Sequence, residues 1–230
     1  MVFGMPVQSF SGSYADDRGV EPLVWQFVPT TGDVGHARSF FIRTVIRGML
    51  VTGGAFDGLE PDDAHAAAAA LPLLNETDDK YACVLYRCVL HADLPCAAEI
   101  DGDRRSAIVR FTVDLRADRP PLNQHFAVHL DGTTYEVDVD GGLDEGLARL
   151  AAAFPPNIHL ICCHTCQFAG YSPYIGYDMV GINCHREART RYLAVRSKRD
   201  YTPDLITEEV PENYLCPEYR FRIPGTGFGV

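Results

Sequence analysis

Ser106-Ala-Ile-Val-Arg-Phe-Thr-Val-Asp-Leu115 alternates without interruption: Ile108, Arg110, Thr112 and Asp114 interleave with Val109, Phe111, Val113 and Leu115. A period of two belongs to a half-buried strand, whose successive side chains point to opposite faces. Downstream, Phe126–Leu130 and Thr133–Val139 are joined by Asp131-Gly132. That dipeptide accepts the positive φ angles of a two-residue hairpin turn. Upstream, Tyr81–His91 is a third run of the same kind, and Leu23–Val28 reads as another strand, with Leu23, Trp25 and Val28 toward the core. Residues 39–52 are rich in aromatic and β-branched side chains and carry Gly48 mid-run. They read as two short strands or one strand bent at the glycine. Short strands at this spacing predict an antiparallel sandwich or curled sheet rather than βαβ units.

Helices are few. Gly141–Phe154 places Leu143, Leu147, Leu150, Ala151 and Phe154 on one apolar face, and Pro155-Pro156 ends it. This predicts a helix over 142–154. Ala64–Ala70, stopped by Pro72, predicts a shorter one with Asp62 or Asp63 as its N-cap. Residues 1–21 are polar and Gly-rich and read as a turn-like entry, with Asp16 and Asp17 as solvated turn formers. Residues 30–37 and 75–79 read as turns.

The chain has 230 residues, a formal net charge of -11, 47% hydrophobic and 22% charged residues. These are the proportions of a soluble globular protein. The acidic balance repels phosphate backbones, so nucleic acid is disfavoured as a partner. No apolar stretch reaches the roughly 18 residues of a membrane helix. The N-terminal Met1-Val-Phe-Gly-Met-Pro has neither the basic region nor the apolar run of a secretory signal. The expectation is a cytoplasmic location, where thiols stay reduced.

Eight cysteines in such a compartment favour metal binding or burial over disulfides. Five of them, Cys162, Cys163, Cys166, Cys184 and Cys216, lie in the last third. Cys163-His-Thr-Cys166 can bite one tetrahedral ion, because the turn between the thiolates aims both sulfurs at one point. Cys184 follows after 17 intervening residues and Cys216 after a further 31. Cys163, Cys166, Cys184 and Cys216 are therefore expected to form one structural zinc site. Cys162 would point the other way along the strand and pack. His185 competes with Cys184, and His164 is a further competitor; thiolate is the softer ligand and matches the others. A shell closed by four thiolates leaves no position for water, so it would staple the fold rather than activate a nucleophile. Cys83, Cys88 and Cys96 read as buried free thiols. Thioredoxin-like chemistry at Cys163-x-x-Cys166 would need the motif to open a helix. Here a Gly- and Pro-containing loop follows.

Two further stretches carry functional readings. The loop 170–179 holds Tyr171, Tyr174 and Tyr177, which either pack over the metal or form a contact surface. Residues 186–199 hold six Lys or Arg against one Glu. They read as a solvated charged face, with anion binding as the alternative. An enzymatic alternative would place His91, His125 or His129 with Asp57 and Glu60 on the β body or at the junction of the two parts.

Cys163-x-x-Cys166, Tyr171-Ser-Pro-Tyr174, Cys184, Tyr192-Leu-Ala-Val-Arg-Ser-Lys198, Tyr214-Leu-Cys-Pro-Glu218 and Pro224-Gly-Thr-Gly227, with Asp17–Glu21 and Phe56–Pro61, give the chain a resemblance to a bacterial family of unknown function. The resemblance spans most of the chain. It implies the same four cysteines and no established activity, and it has no counterpart for Cys83, Cys88 and Cys96.

The sequence thus predicts a mainly β (α+β) chain. Residues 1–156 form an antiparallel β-sandwich-like body with one or two helices, and residues 157–230 a C-terminal zinc-stapled region. The expected function is that of a zinc-stabilised binding or accessory protein whose partner is another protein or a small molecule, with no membrane contact. The alternative is an enzyme.

Overall fold

The computed structural model describes residues 7–29, 40–75, 83–116, 123–174 and 181–228. The expected turn at 30–37, all of the expected turn at 75–79 but Asn75, which ends a strand, and Tyr81, Tyr177 and the residues Met1–Pro6 lie outside these.

The chain is mainly β and its sheets are antiparallel. The strands are β1 (Gln8–Asp16), β2 (Gly19–Pro29), β3 (Phe40–Ile46), β4 (Met49–Gly53), β5 (Leu59–Pro61), β6 (Leu73–Asn75), β7 (Cys83–Leu85), β8 (Val89–Ile100), β9 (Asp103–Asp114), β10 (Asn123–Leu130), β11 (Thr133–Val139) and β12 (Ile158–Ile161). Ten of them form one sheet in the order β11-β10-β9-β8-β1-β2-β3-β4-β5, with β12 also on β8, while β6 and β7 pair separately. Phe56, just before β5, meets Phe111 of β9 edge to face at 4.9 Å, and Trp25 of β2 at 5.2 Å. Strands far apart in the sheet order thus face each other across one interior, which gives the body a sandwich-like layering.

Alternation builds that interior. Val109, Phe111, Val113 and Leu115 are buried, while Ile108 on the opposite face is exposed. In β2 the buried set is Leu23, Trp25 and Phe27. The strict period of two puts Phe27 inside and leaves the expected Val28 only half-buried. The hairpins turn at Arg47-Gly48, Asp101-Gly102 and Asp131-Gly132, and every one of these residues has positive φ. The glycine in 39–52 therefore closes a hairpin between β3 and β4. Cys83 and Cys88 do not share a strand: Cys83 is half-buried in β7, and Cys88 is buried just before β8, after Arg87 at φ 51.

Residues 8–16 are a strand, not an entry turn. Gly12 is required there, because the Trp25 indole crosses over it to donate from Nε1 to the His91 carbonyl at 2.7 Å. A Cβ at Gly12 would collide with both. Asp16 is not a solvated turn former. Its side chain is covered, pairs with Arg47 and accepts from the Tyr14 hydroxyl at 2.9 Å. These partners hold its carboxyl below the usual range against the opposing effect of burial.

The helix α1 (Ala64–Ala67) is shorter than expected and is capped by Asp63, which accepts from the Ala66 amide at 2.9 Å. The helix α2 (Leu143–Ala152) buries Leu147 and Leu150. Its Gly146 lets the Phe126 ring lie directly on the helix backbone.

Strand β8 organises the rest. It pairs with β9 over its whole length. Its other edge is divided: Ala92–Val89 pair with β1, and Ala97–Ile100 pair with β12. Pro95 lies in the gap, where a strand without an N–H donor is tolerated. Its carbonyl accepts from Asn213 Nδ2 at 3.3 Å. Beyond β12 the chain forms a three-stranded sheet of β13 (Ala169–Gly170), β14 (Ile182–Cys184) and β15 (Glu208–Val210), with the short helix α3 (Arg189–Leu193).

Candidate metal centre and its surroundings

The β8–β12 pair is a wall between two interiors. Cys96, Ala98, Ile100, Ile158, Leu160 and Cys162 face the body core. Ala97, Ile161 and Cys163 face a second core, shared with Cys166, Phe168, Tyr171, Ile182, Cys184, Val210, Cys216 and Tyr219. Cys162 and Cys163 therefore point to opposite sides, as successive residues of an extended chain must.

Three separate segments bring the four cysteines into this second core. Cys163 opens a single 3-10 turn (Cys163–Thr165), closed by the Cys166 amide donating to the Cys163 carbonyl at 3.0 Å. Arg222 fixes that turn from outside by donating to the carbonyls of Cys166 and Ala169, both at 2.8 Å. Cys184 ends β14, and Cys216 opens a turn in which the Tyr219 amide returns to its carbonyl at 3.2 Å. All four are buried. Burial holds the Cys163 thiol well above its usual range, and charge on Cys166, Cys184 and Cys216 would push it in the same direction. Cys184 is pushed up to about 12, chiefly by burial, against a hydrogen bond from the Arg186 amide. The Arg186 guanidinium lies 3.8 Å from the Cys216 sulfur and pairs with Glu208.

The sulfurs thus share one neighbourhood. Nevertheless, among the described residues, no group of three or more His, Cys, Asp or Glu side chains is gathered as a metal-holding set. The four sulfurs are neighbours that do not converge on one point. The chemistry of the donors fits a soft or borderline cation, with N–H groups already directed at two of the sulfurs.

The competing histidines are otherwise engaged. His185 is fully buried, Nδ1 meets the Leu205 carbonyl at 2.9 Å, and the ring stacks on Tyr192 at 3.9 Å. His164 Nδ1 faces the Tyr171 hydroxyl at 3.5 Å. Burial lowers both histidines to about 4, so they are neutral at pH 7. Tyr171 belongs to the second core, while exposed Tyr174 donates to the Lys198 carbonyl at 2.8 Å with the Lys198 ammonium over its ring.

One buried group in this region carries no signal in the sequence. Glu212 accepts from the Gly181 amide at 3.0 Å with each oxygen, and from the Tyr171 hydroxyl at 3.4 Å. Burial raises its carboxyl to about 7. A lone acid between Pro211 and Asn213 has no pattern that separates it from a surface acid.

Three of the six cations of the basic stretch 186–199 pair with acids from the following segment. Arg186 and Arg189 reach Glu218, and Arg191 reaches Asp204 at 2.6 Å. The histidines of the enzymatic alternative lie on the outer sheet face, each with its own partner. His91 is 3.4 Å from Asp93, His125 is 2.9 Å from Asp138, and His129 is 3.1 Å from the Thr134 hydroxyl. Asp57 and Glu60 are exposed near β5, at the opposite end of the sheet order from β10. The structure does not bring these five residues together. An open groove on β2–β4, lined by Pro22, Val24, Val45 and Leu50 among others, contains none of them.

Against known proteins, residues 8–169 match the model of a family of unknown function, DUF6304. The chain belongs to this family. The match spans the β body and Cys163 and Cys166; Cys184 and Cys216 lie outside the matched residues. No curated protein and no solved structure matches the chain. Among the described residues, no helix is long and apolar enough to cross a membrane.

Proposed function

We propose that this family member is a binding or accessory protein of the cytoplasm, with a C-terminal part, residues 157–230, held by a structural zinc at Cys163, Cys166, Cys184 and Cys216. The observation that carries the reading is the meeting of four thiols, from three segments far apart in the chain, in one buried core. Four uncharged thiols there contribute only packing; four thiolates on one cation would tie those segments together. The ion would draw the sulfurs inward from their present separation. Arg186, through its amide on Cys184 and its guanidinium on Cys216, would balance the excess negative charge. A closed shell supplies no open position for chemistry. The acidic balance of the chain favours a protein or a small molecule over nucleic acid as partner.

The test is the metal content of the purified protein, with thiols counted before and after chelation. One zinc per chain and four thiols released by the chelator support the reading. Absence of stoichiometric metal, with those four thiols equally reactive throughout, overturns it.

The enzymatic reading has one observation in its favour, the buried cluster of Glu212, Tyr171 and His164 where the two cores adjoin. Its members are 1%, 8% and 3% exposed, so no substrate reaches them in this arrangement. Binding is therefore the better supported function.

A further inference from the structure

Six cysteines lie along the β8–β12 wall and in the core behind it, and the wall sorts them. Cys163, Cys166, Cys184 and Cys216 fall on one side. Cys96 and Cys162 fall on the other, inside the body core, 1% and 0% exposed. The register makes these two partners. Ile161 stands opposite Ala97, and Cys162 continues the strand in extended conformation (φ -161, ψ 173), which sets it opposite Cys96. The two thiols are immediate neighbours. The Pro95 carbonyl points away from β9 toward Asn213, so the carbonyl of the next residue, Cys96, points back to β9. Cys96 and Cys162 are therefore a non-hydrogen-bonded cross-strand pair, for which Cα atoms stand about 4.5 Å apart. Disulfides span Cα separations of roughly 4.4–6.8 Å.

We infer that Cys96 and Cys162 are a reversible oxidation site that closes to a disulfide between β8 and β12, locking the C-terminal part onto the body. Neither thiol of the pair belongs to the four of the proposed metal set, and the bridge forms with or without the metal. With a hydroperoxide as oxidant, the Cys162 sulfur attacks the peroxide oxygen and becomes a sulfenic acid, releasing water or an alcohol. The Cys96 sulfur then displaces hydroxide from the sulfenic sulfur, and the Cys96 thiol proton leaves with it as water, the Cys162 proton having left with the first water or alcohol. Two thiols lose two protons and two electrons, and the peroxide is reduced. The Thr165 hydroxyl, 3.9 Å from the Cys162 sulfur, is in place to hydrogen-bond to it. Access comes through β12, a four-residue strand that among the described residues pairs with no strand but β8, and whose local opening exposes the pair. The bridge closes a long loop holding β9, β10, β11 and α2, so it restricts the unfolded chain strongly.

The test is oxidation of the full-length wild-type protein with hydrogen peroxide, then alkylation in denaturant and mapping of linked peptides by mass spectrometry. The expected product is a Cys96–Cys162 linked peptide that a dithiol reductant reopens. The oxidised protein should melt roughly 10 °C higher than the reduced one. Half-buried Cys83 reports that the oxidant acted. Recovery of Cys96 and Cys162 as free thiols after Cys83 has reacted overturns the inference, as does linkage of Cys162 to any other cysteine, or irreversible oxidation of the pair. Cys96→Ala should lose both the linked peptide and the shift in melting temperature. The mapping on the wild type decides the matter even where that variant does not fold.

Discussion

The two sides of the β8–β12 wall face interiors built by different means. The body side is aromatic and aliphatic, set by alternation along long strands: Trp25, Phe27, Phe111 and Phe126 are all nearly inaccessible. The other side has three strands of two or three residues. It is filled by thiols and by buried polar groups, among them His164, Asn183, Glu212 and Asn213. The first interior gains stability from apolar area removed from water. The second has little such area for its backbone and depends on satisfied hydrogen bonds and, in our reading, on a metal. The body should therefore stand without the cysteine region, and the cysteine region should not stand without its staple.

Substitutions sharpen this contrast, and the largest effect belongs to the body. Trp25→Ala removes the largest buried side chain together with its hydrogen bond to the His91 carbonyl. It should cost about 3–5 kcal/mol and lower the denaturant midpoint for both interiors at once. A change confined to the cysteine region would contradict a shared wall. Next comes Asn213→Ala, which leaves the Pro95 carbonyl without its donor in the gap between β1 and β12. The expected loss is about 1–3 kcal/mol in equilibrium denaturation, with Asn213→Asp costing at least as much because no N–H is restored.

How much of this was legible in the sequence follows the same division. Val109–Leu115 and the Asp131-Gly132 turn could be read directly, because one face of β9 is dry and the other wet and the turn needs positive φ. Strand β8 could be read only as far as His91. Beyond it, the two cores bury both faces, so Cys96, Ala97 and Ala98 are all covered and alternation disappears. Strand β1 was hidden by its serines and by Gly12, a residue chosen to let an indole cross and not for strand propensity. The four cysteines stood out by type and spacing. Glu212 and Asn213 did not, since burial of a single acid or amide in a loop comes from distant partners, Gly181 and Pro95, that no local pattern encodes.

The smallest expected effect concerns Glu212. Its folded carboxyl is raised by burial from the ordinary 4.5 to about 7. The protonated form is favoured in the folded state, so this contribution is complete below about pH 4.5 and is lost as pH rises through 7. Between pH 6 and 8 the wild type should lose about 1 kcal/mol that Glu212→Gln does not lose. Parallel pH profiles of denaturation midpoints for the two proteins would remove the buried carboxyl from the account.

The central claim is that the metal holds one interior and not the other. Hydrogen exchange of the full chain, before and after chelation, tests it directly. Amides of β13, β14, β15 and the Cys163–Thr165 turn should exchange at least ~100-fold faster after chelation, while those of β1, β2, β9 and β10 keep their protection. Equal protection of both regions with and without the chelator, or loss of both together, would contradict it.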